Sequence, residues 1–241
     1  QRQATDNPTS SRVYDYVLRG QAIISESEEA NRRARDMYEK AISLDPACAR
    51  AHAGVAGALL LDWTSGWGDP KADTLGLAFA KAKEALALDD SDLKTRWELG
   101  KIHMYRREFE QAEIHLRQAL TMNPNDSDAM AVLAMLFTYL GTPQDAIRYL
   151  STARELNPFH PAWHLWFLGF AQYTAKEYEI AVATLNETIE SGPQFVTPHR
   201  HLAACYVQLD DMTLAHHEAR LILDLDPNFR VDSLIPKLPF K

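Results

Sequence analysis

Nine histidines and two cysteines are the residues of this sequence best suited to metal or nucleophile chemistry. His160 and His164 have the i, i+4 spacing that puts two imidazoles on one helical face, as a zinc site requires. Pro161 lies between them, so His160 falls at or before the start of that helix. His199 and His201 are two apart and point to different sides of a helix. His216 and His217 are adjacent and also diverge. No third ligand stands at metal-site spacing, and neither cysteine accompanies a histidine pair, so neither a metal nor a cofactor is expected. His201 precedes Cys205 by four residues, which allows a thiol–imidazole contact. Cys205 occupies a core slot of the helical pattern described below, which makes an inert thiol the expectation. The acidic runs Glu26-Ser27-Glu28-Glu29 and Asp89-Asp90-Ser91-Asp92 fall at helix starts, where they favour the positive helix end rather than acid–base work. Gly66-x-Gly68 follows a helix, not a strand, and no third glycine or Gly-Lys-Ser/Thr completes a phosphate loop. The chain is expected to be non-catalytic.

The elements that would carry these residues are clearest between Asp92 and Pro124, D-L-K-T-R-W-E-L-G-K-I-H-M-Y-R-R-E-F-E-Q-A-E-I-H-L-R-Q-A-L-T-M-N-P. Leu99 and Gly100 lie on one helical face. Ala112, Leu116 and Ala119 form the stripe of a second helix, at spacings of four and three. Arg106-Arg107-Glu108 between them has room for only a tight turn, so the two helices are antiparallel. Pro124 ends the second helix.

The closing phrase then recurs. Ala-Ile-Ser-Leu-Asp-Pro ends at Pro46, Ala-Leu-Ala-Leu-Asp-Asp at Asp90 and Ala-Leu-Thr-Met-Asn-Pro at Pro124. Ala-Arg-Glu-Leu-Asn-Pro ends at Pro158, Thr-Ile-Glu-Ser-Gly-Pro at Pro193 and Ile-Leu-Asp-Leu-Asp-Pro at Pro227. Successive ends are 44, 34, 34, 35 and 34 residues apart. A period near 34 with two helices per unit resembles the tetratricopeptide repeat (TPR) family. The resemblance implies an all-α, right-handed superhelical solenoid of six helix-turn-helix units with a short C-terminal cap. The units are expected at about 13–48, 49–92, 93–126, 127–160, 161–195 and 196–229. A flexible arm at 1–12 precedes them, and a cap or tail at 230–241 follows, with Phe229, Leu234 and Ile235 covering the end of the last pair. An insertion at about 62–73, bearing Trp63 and Trp67, accounts for the 44-residue interval. The two tryptophans either plug this loop against the array or serve as an exposed recognition element.

Composition narrows the partners. The net charge of −8, from 33 acids and 25 bases, argues against a nucleic-acid surface and favours basic or apolar partners. No apolar run reaches the roughly 20 residues of a membrane span. Cys48 and Cys205 are expected to be reduced core thiols, which fits the cytoplasm. Gln1 is not a start methionine, and the sequence reads as a piece of a longer protein.

In TPR arrays the first helix of each pair lines the concave groove. The resemblance therefore implies groove positions Trp97, Lys101, Met104 and Tyr105, then Met135 and Tyr139. Trp163, Trp166, Phe170 and Tyr173 follow, then Arg200. The carboxylate-holding residues of chaperone-binding TPR domains are matched by a single lysine, Lys101. The corresponding slots otherwise carry Trp97, Val132, Trp163 and Phe167, so that ligand class is not expected. An aromatic and methionine-rich groove suits an apolar peptide, a helix or a neighbouring domain.

Y-D-Y-V-L-R-G-Q-A at 14–22, the tryptophan insertion, and P-H-R-H-L-A-A-C-Y with L-P-F-K near the end resemble TPR regions C-terminal to bacterial class III adenylate/guanylate cyclase domains. That resemblance implies a regulatory or interaction region that regulates an attached nucleotide cyclase. A small-molecule sensor and a self-association module forming a homodimer are the alternatives.

Overall fold

The computed structural model of the chain describes residues 8–23, 27–69, 71–192 and 196–241. Twelve helices of thirteen or more residues follow in order, then a short α-helix and a 3-10 turn; among the described residues there is no strand. The chain divides into two compact units, Gln1–Arg106 and Arg107–Lys241.

The first unit contains α1 (Pro8–Ile23), α2 (Glu28–Leu44), α3 (Ala49–Ser65), α4 (Thr74–Leu88) and α5 (Leu93–Tyr105). Its core joins Val13 and Val17 to the α2 stripe Ala34, Tyr38 and Ala41, and to Ala51 and Val55 of α3. A second cluster joins Ala56 and Leu60 to Ala78, Ala82, Leu99 and Ile102. The ring of Tyr38 is fully buried between α1 and α3. A Cβ at Gly20 would stand 2.7 Å from it, and one at Gly54 2.5 Å, so both flanking helices need a bare backbone there.

Two boundaries differ from the sequence reading. Helix α1 begins at Pro8, not Val13, because proline is well suited to a first helical turn; of the expected arm, residues 1–7 lie outside the described residues. The insertion starts later than 62. Asp62 and Trp63 belong to α3, which runs to Ser65 and stops at Gly66 in the left-handed conformation (φ 77°). Asp62 is drawn inward because Asn31 Nδ2 donates to its Oδ1 at 2.7 Å and Arg35 to its Oδ2 at 2.8 Å.

The second unit contains α6 (Phe109–Met122), α7 (Ser127–Tyr139), α8 (Pro143–Leu156), α9 (Ala162–Thr174), α10 (Tyr178–Ser191), α11 (Val196–Gln208), α12 (Met212–Leu225), α13 (Val231–Leu234) and the 3-10 turn Ile235–Lys237. Helices α6, α8 and α10 bury the same stripe: Ala112-Leu116-Ala119, Ala146-Leu150-Ala153 and Ala181-Leu185-Thr188. Gly169 of α9 lets its partner come close, since a Cβ there would meet Leu185 Cγ at 2.6 Å. In α12 the stripe continues with buried Ala215 and Ile222, and Glu218, one residue before the middle slot, is buried and paired with His199 Nδ1 at 2.7 Å.

The joints of the repeats are closed locally. The residue opening the turn accepts a hydrogen bond from the N–H two positions on at Asp45, Asp89, Asn123, Asn157 and Asp226. Asp92 and Asp126 then cap α5 and α7 by accepting from the Thr95 and Ala129 N–H groups, each cap contributing about 1 kcal/mol. Within the hairpins, the turn residue is left-handed at Arg107, Gly141, Lys176 and Asp210.

Candidate functional site

Each unit presents its expected groove residues on the first helices of its repeats. In the first unit, the Trp97 ring lies 4.7 Å from the Lys101 ammonium and 5.7 Å from that of Lys94. Lys101 also pairs with Glu98 at 2.9 Å. Tyr105 meets Trp63 edge to face at 5.8 Å, which fixes that tryptophan on the helix rather than in the loop. Trp67 is half-buried in the remaining loop, its backbone N–H bonded to the Asp62 carbonyl. Met104 is fully buried and belongs to the core of this unit, not to an accessible face.

In the second unit, α7 and α9 are in contact, as are α9 and α11, so three first helices form one face. Asp128 of α7 accepts from the buried His164 of α9 at 2.9 Å, which pins the two helices in register. Trp163 packs edge-on against His164 and Phe167, and Trp166 against Phe167. Both tryptophans stay half-buried, as does Tyr173, which packs against Tyr178. Phe170 lies 5.2 Å from Tyr139 and 4.8 Å from His201 of α11. Met135, Tyr139 and Phe170 are all buried. Arg200 sits over the ring of Phe229 at 5.4 Å.

His201 has no partner at metal-site spacing in the sequence, yet it is central to this face. Burial holds its pKa down to about 4, against an opposing contribution from the Thr197 carbonyl and a further lowering by the Arg200 charge. Its Nδ1 faces both the Thr197 carbonyl at 3.0 Å and the Trp166 indole N–H at 3.3 Å. A neutral ring nitrogen can donate to the first or accept from the second, not both. Cys205, one helical turn on, is buried, and burial pushes its thiol up to about 12. Both cysteines are free.

The end of the chain lies on this face. Phe240 meets Tyr139 at 5.0 Å and Phe170 at 6.0 Å, both edge to face. The Lys241 N–H donates to the Tyr139 carbonyl at 3.3 Å. Arg107 donates to the carbonyls of Phe240 and Leu238. Ile235, expected to cover the last helix pair, is instead 59% exposed. Among the described residues no group of three or more His, Cys, Asp or Glu could hold a metal ion. None of the described helices is long and apolar enough to cross a membrane.

The family model "Tetratricopeptide repeat" matches residues 98–161 and again 132–194, a stretch that includes all of α7, α8 and α9. Residues 98–194 are tetratricopeptide repeats. Superkiller protein 3 of Schizosaccharomyces pombe is 27% identical over 156 residues, 57% of this chain and 11% of that protein. Putative adenylate cyclase 3 of Rhizobium meliloti is 27% identical over 114 residues, 47% of this chain and 19% of that protein. The chain thus spans a small part of the length of either relative. Among solved structures, PilF of Pseudomonas aeruginosa aligns with a TM-score of 0.55 at 19% identity, covering 95% of this chain and 98% of that one. That likeness is one of fold. TPR proteins are generally protein-interaction scaffolds, and neither the family model nor the PilF match indicates a catalytic family.

Proposed function

We propose that this chain is a non-catalytic interaction scaffold whose α7–α9–α11 face takes an apolar, aromatic-preferring peptide, helix or neighbouring domain. The observation that carries this reading is the row of aromatic side chains from Tyr139 through Phe170 to Trp166 and Trp163, with both tryptophans half-buried. Aromatic rings of this kind supply large contact area at low entropic cost and are typical interface anchors. In the first unit, taken by itself, Trp97, Lys101, Tyr105 and the helix-borne Trp63 are proposed contact residues, and Trp67 is the proposed loop element. Tyr173 and Arg200 complete the set in the second.

The test is selection of a random peptide library on the full chain. Aromatic-bearing sequences should be enriched, and Trp163→Ala and Trp166→Ala should each weaken the selected peptide by about tenfold or more while helicity is kept. No enrichment, or equal binding by the variants, would remove the reading.

A finer proposal is that the bound partner regulates an attached nucleotide cyclase, in the cytoplasm. It is supported by the similarity to the Rhizobium meliloti protein, and the two free thiols fit that compartment. Where the chain is joined to a cyclase domain, Trp166→Ala should change the cyclase rate. Self-association is favoured by one observation, Phe159, which is 95% exposed in the turn before α9. Phe159→Ser should abolish any concentration-dependent rise in mass.

A further inference from the structure

Residues 235–241 read Ile-Pro-Lys-Leu-Pro-Phe-Lys, and their placement is that of a ligand rather than of a core element. Leu238 has an extended backbone (φ −69°, ψ 124°). Pro239 is buried, and Phe240 reaches the rings of Tyr139 and Phe170. The Arg107 guanidinium reads two carbonyls of the segment, those of Leu238 and Phe240, at 3.0 and 3.2 Å. Main-chain contacts combined with one aromatic anchor are how grooves hold extended peptides.

The segment is also poised to leave. Phe240 remains 44% exposed, whereas Phe170 beneath it is 4% exposed. Both Arg107 bonds are at the surface, in competition with water. Lys237 is brought near Arg200, and burial together with that like charge pushes the lysine pKa down.

We propose that residues 235–241 are a built-in ligand that closes the α7–α9 face in cis, and that the external ligand is an extended segment of like chemistry. That ligand carries an aromatic side chain after Leu-Pro and presents two carbonyls to Arg107. The inference rests on the reading of this face as a partner groove. A tethered segment competes at an effective concentration of about a millimolar, so an external ligand reaches the face only when it outbinds the tail or when the tail is drawn away.

The probe is a fluorescein-labelled peptide with the sequence of residues 235–241, followed by anisotropy on the 241-residue chain. Phe240→Ala undocks the chain's own segment and leaves the groove residues in place. This variant should bind the peptide about tenfold or more tighter than the unaltered chain, because the fraction of open groove sets the apparent affinity. Adding Arg107→Gln should remove most of the gain. A chain ending at Lys237 provides a second route to the open groove and should behave as Phe240→Ala does, with circular dichroism reporting retained helicity in each. Equal binding by the unaltered and opened chains, or binding by neither, overturns the proposal. If the library yields aromatic peptides but the labelled segment fails on the opened chain, the scaffold reading stands and the built-in ligand falls. If both fail, both fall.

Discussion

Arg107 and Gly141 stand at the same point of successive hairpins and share a left-handed backbone, with φ of 61° and 80°. Lys176 and Asp210 repeat it at 64° and 58°. A side chain costs roughly 1–2 kcal/mol in that region and glycine does not. Lys176→Gly should therefore raise stability by up to about 1 kcal/mol, and Gly141→Ala should lower it by a similar amount. The alanine effect is one of backbone conformation alone, since a Cβ at Gly141 meets nothing within 4 Å. Chemical denaturation of the two variants checks both signs. A Lys176→Gly variant less stable than its parent would mean that the lysine side chain contributes more than its backbone conformation costs.

Tyr38 is held between two glycines. Gly54→Ala would place a methyl 2.5 Å from its Cε1, and overpacking of this kind costs about 1–3 kcal/mol. The double variant Gly54→Ala/Tyr38→Leu should recover part of that loss, which a double-mutant cycle measures. Simple additivity of the two changes would show that the ring is not the obstacle.

Stability should fall in acid partly through His201. Its folded pKa is about 4, below the ordinary 6.5, because burial opposes the imidazolium. The unfolded chain takes up this proton as pH falls through about 6.5, and the folded chain does so only near 4. The contribution is therefore complete above pH 6.5 and is lost progressively between 6.5 and 4, at a slope of no more than about 1.4 kcal/mol per pH unit. His201→Gln should flatten the stability profile in that window. Parallel profiles would assign the acid sensitivity to other groups.

Cys205 and Cys48 should differ sharply towards a disulfide reagent. Cys48 stands just before the start of α3, with no side-chain capping bond, and is half-buried, whereas the Cys205 thiol is buried and raised to about 12, so thiolate is scarce. Native protein should release one equivalent of thionitrobenzoate readily and the second only on unfolding. Fast release of two would show that α11 opens locally.

Much of this architecture could be read from the chain because it is written in short-range chemistry. The Ala-x-x-x-Leu-x-x-Ala stripe at Ala112, Leu116 and Ala119 recurs in α8 and again, with Thr188 at its last slot, in α10. At five of the joints the Asp or Asn of the closing phrase is the side chain that closes the turn. The placement of Trp163, Trp166 and Phe170 on one first helix follows from register alone. What could not be read depends on remote partners. Asp62 has the composition of a loop residue, but Asn31 and Arg35, 31 and 27 residues earlier, bond its carboxylate and let the helix continue past it. Met104 sits at a groove register position, yet it is fully buried. Above all, nothing local in Leu-Pro-Phe-Lys announces that Phe240 will meet Arg107, 133 residues away.

The joints have an evolutionary consequence. Asn123 and Asp126 find their hydrogen-bond donors at Asn125 and Ala129, within a few residues of themselves. A tandem duplication of residues 123–156 would arrive with its own turn and its own cap already in place. A duplication of any length out of phase would strand a capping aspartate in mid-helix. A change of one whole repeat thus preserves every turn and cap, whereas a small insertion is accommodated only in a loop between helices, as it is between α3 and α4.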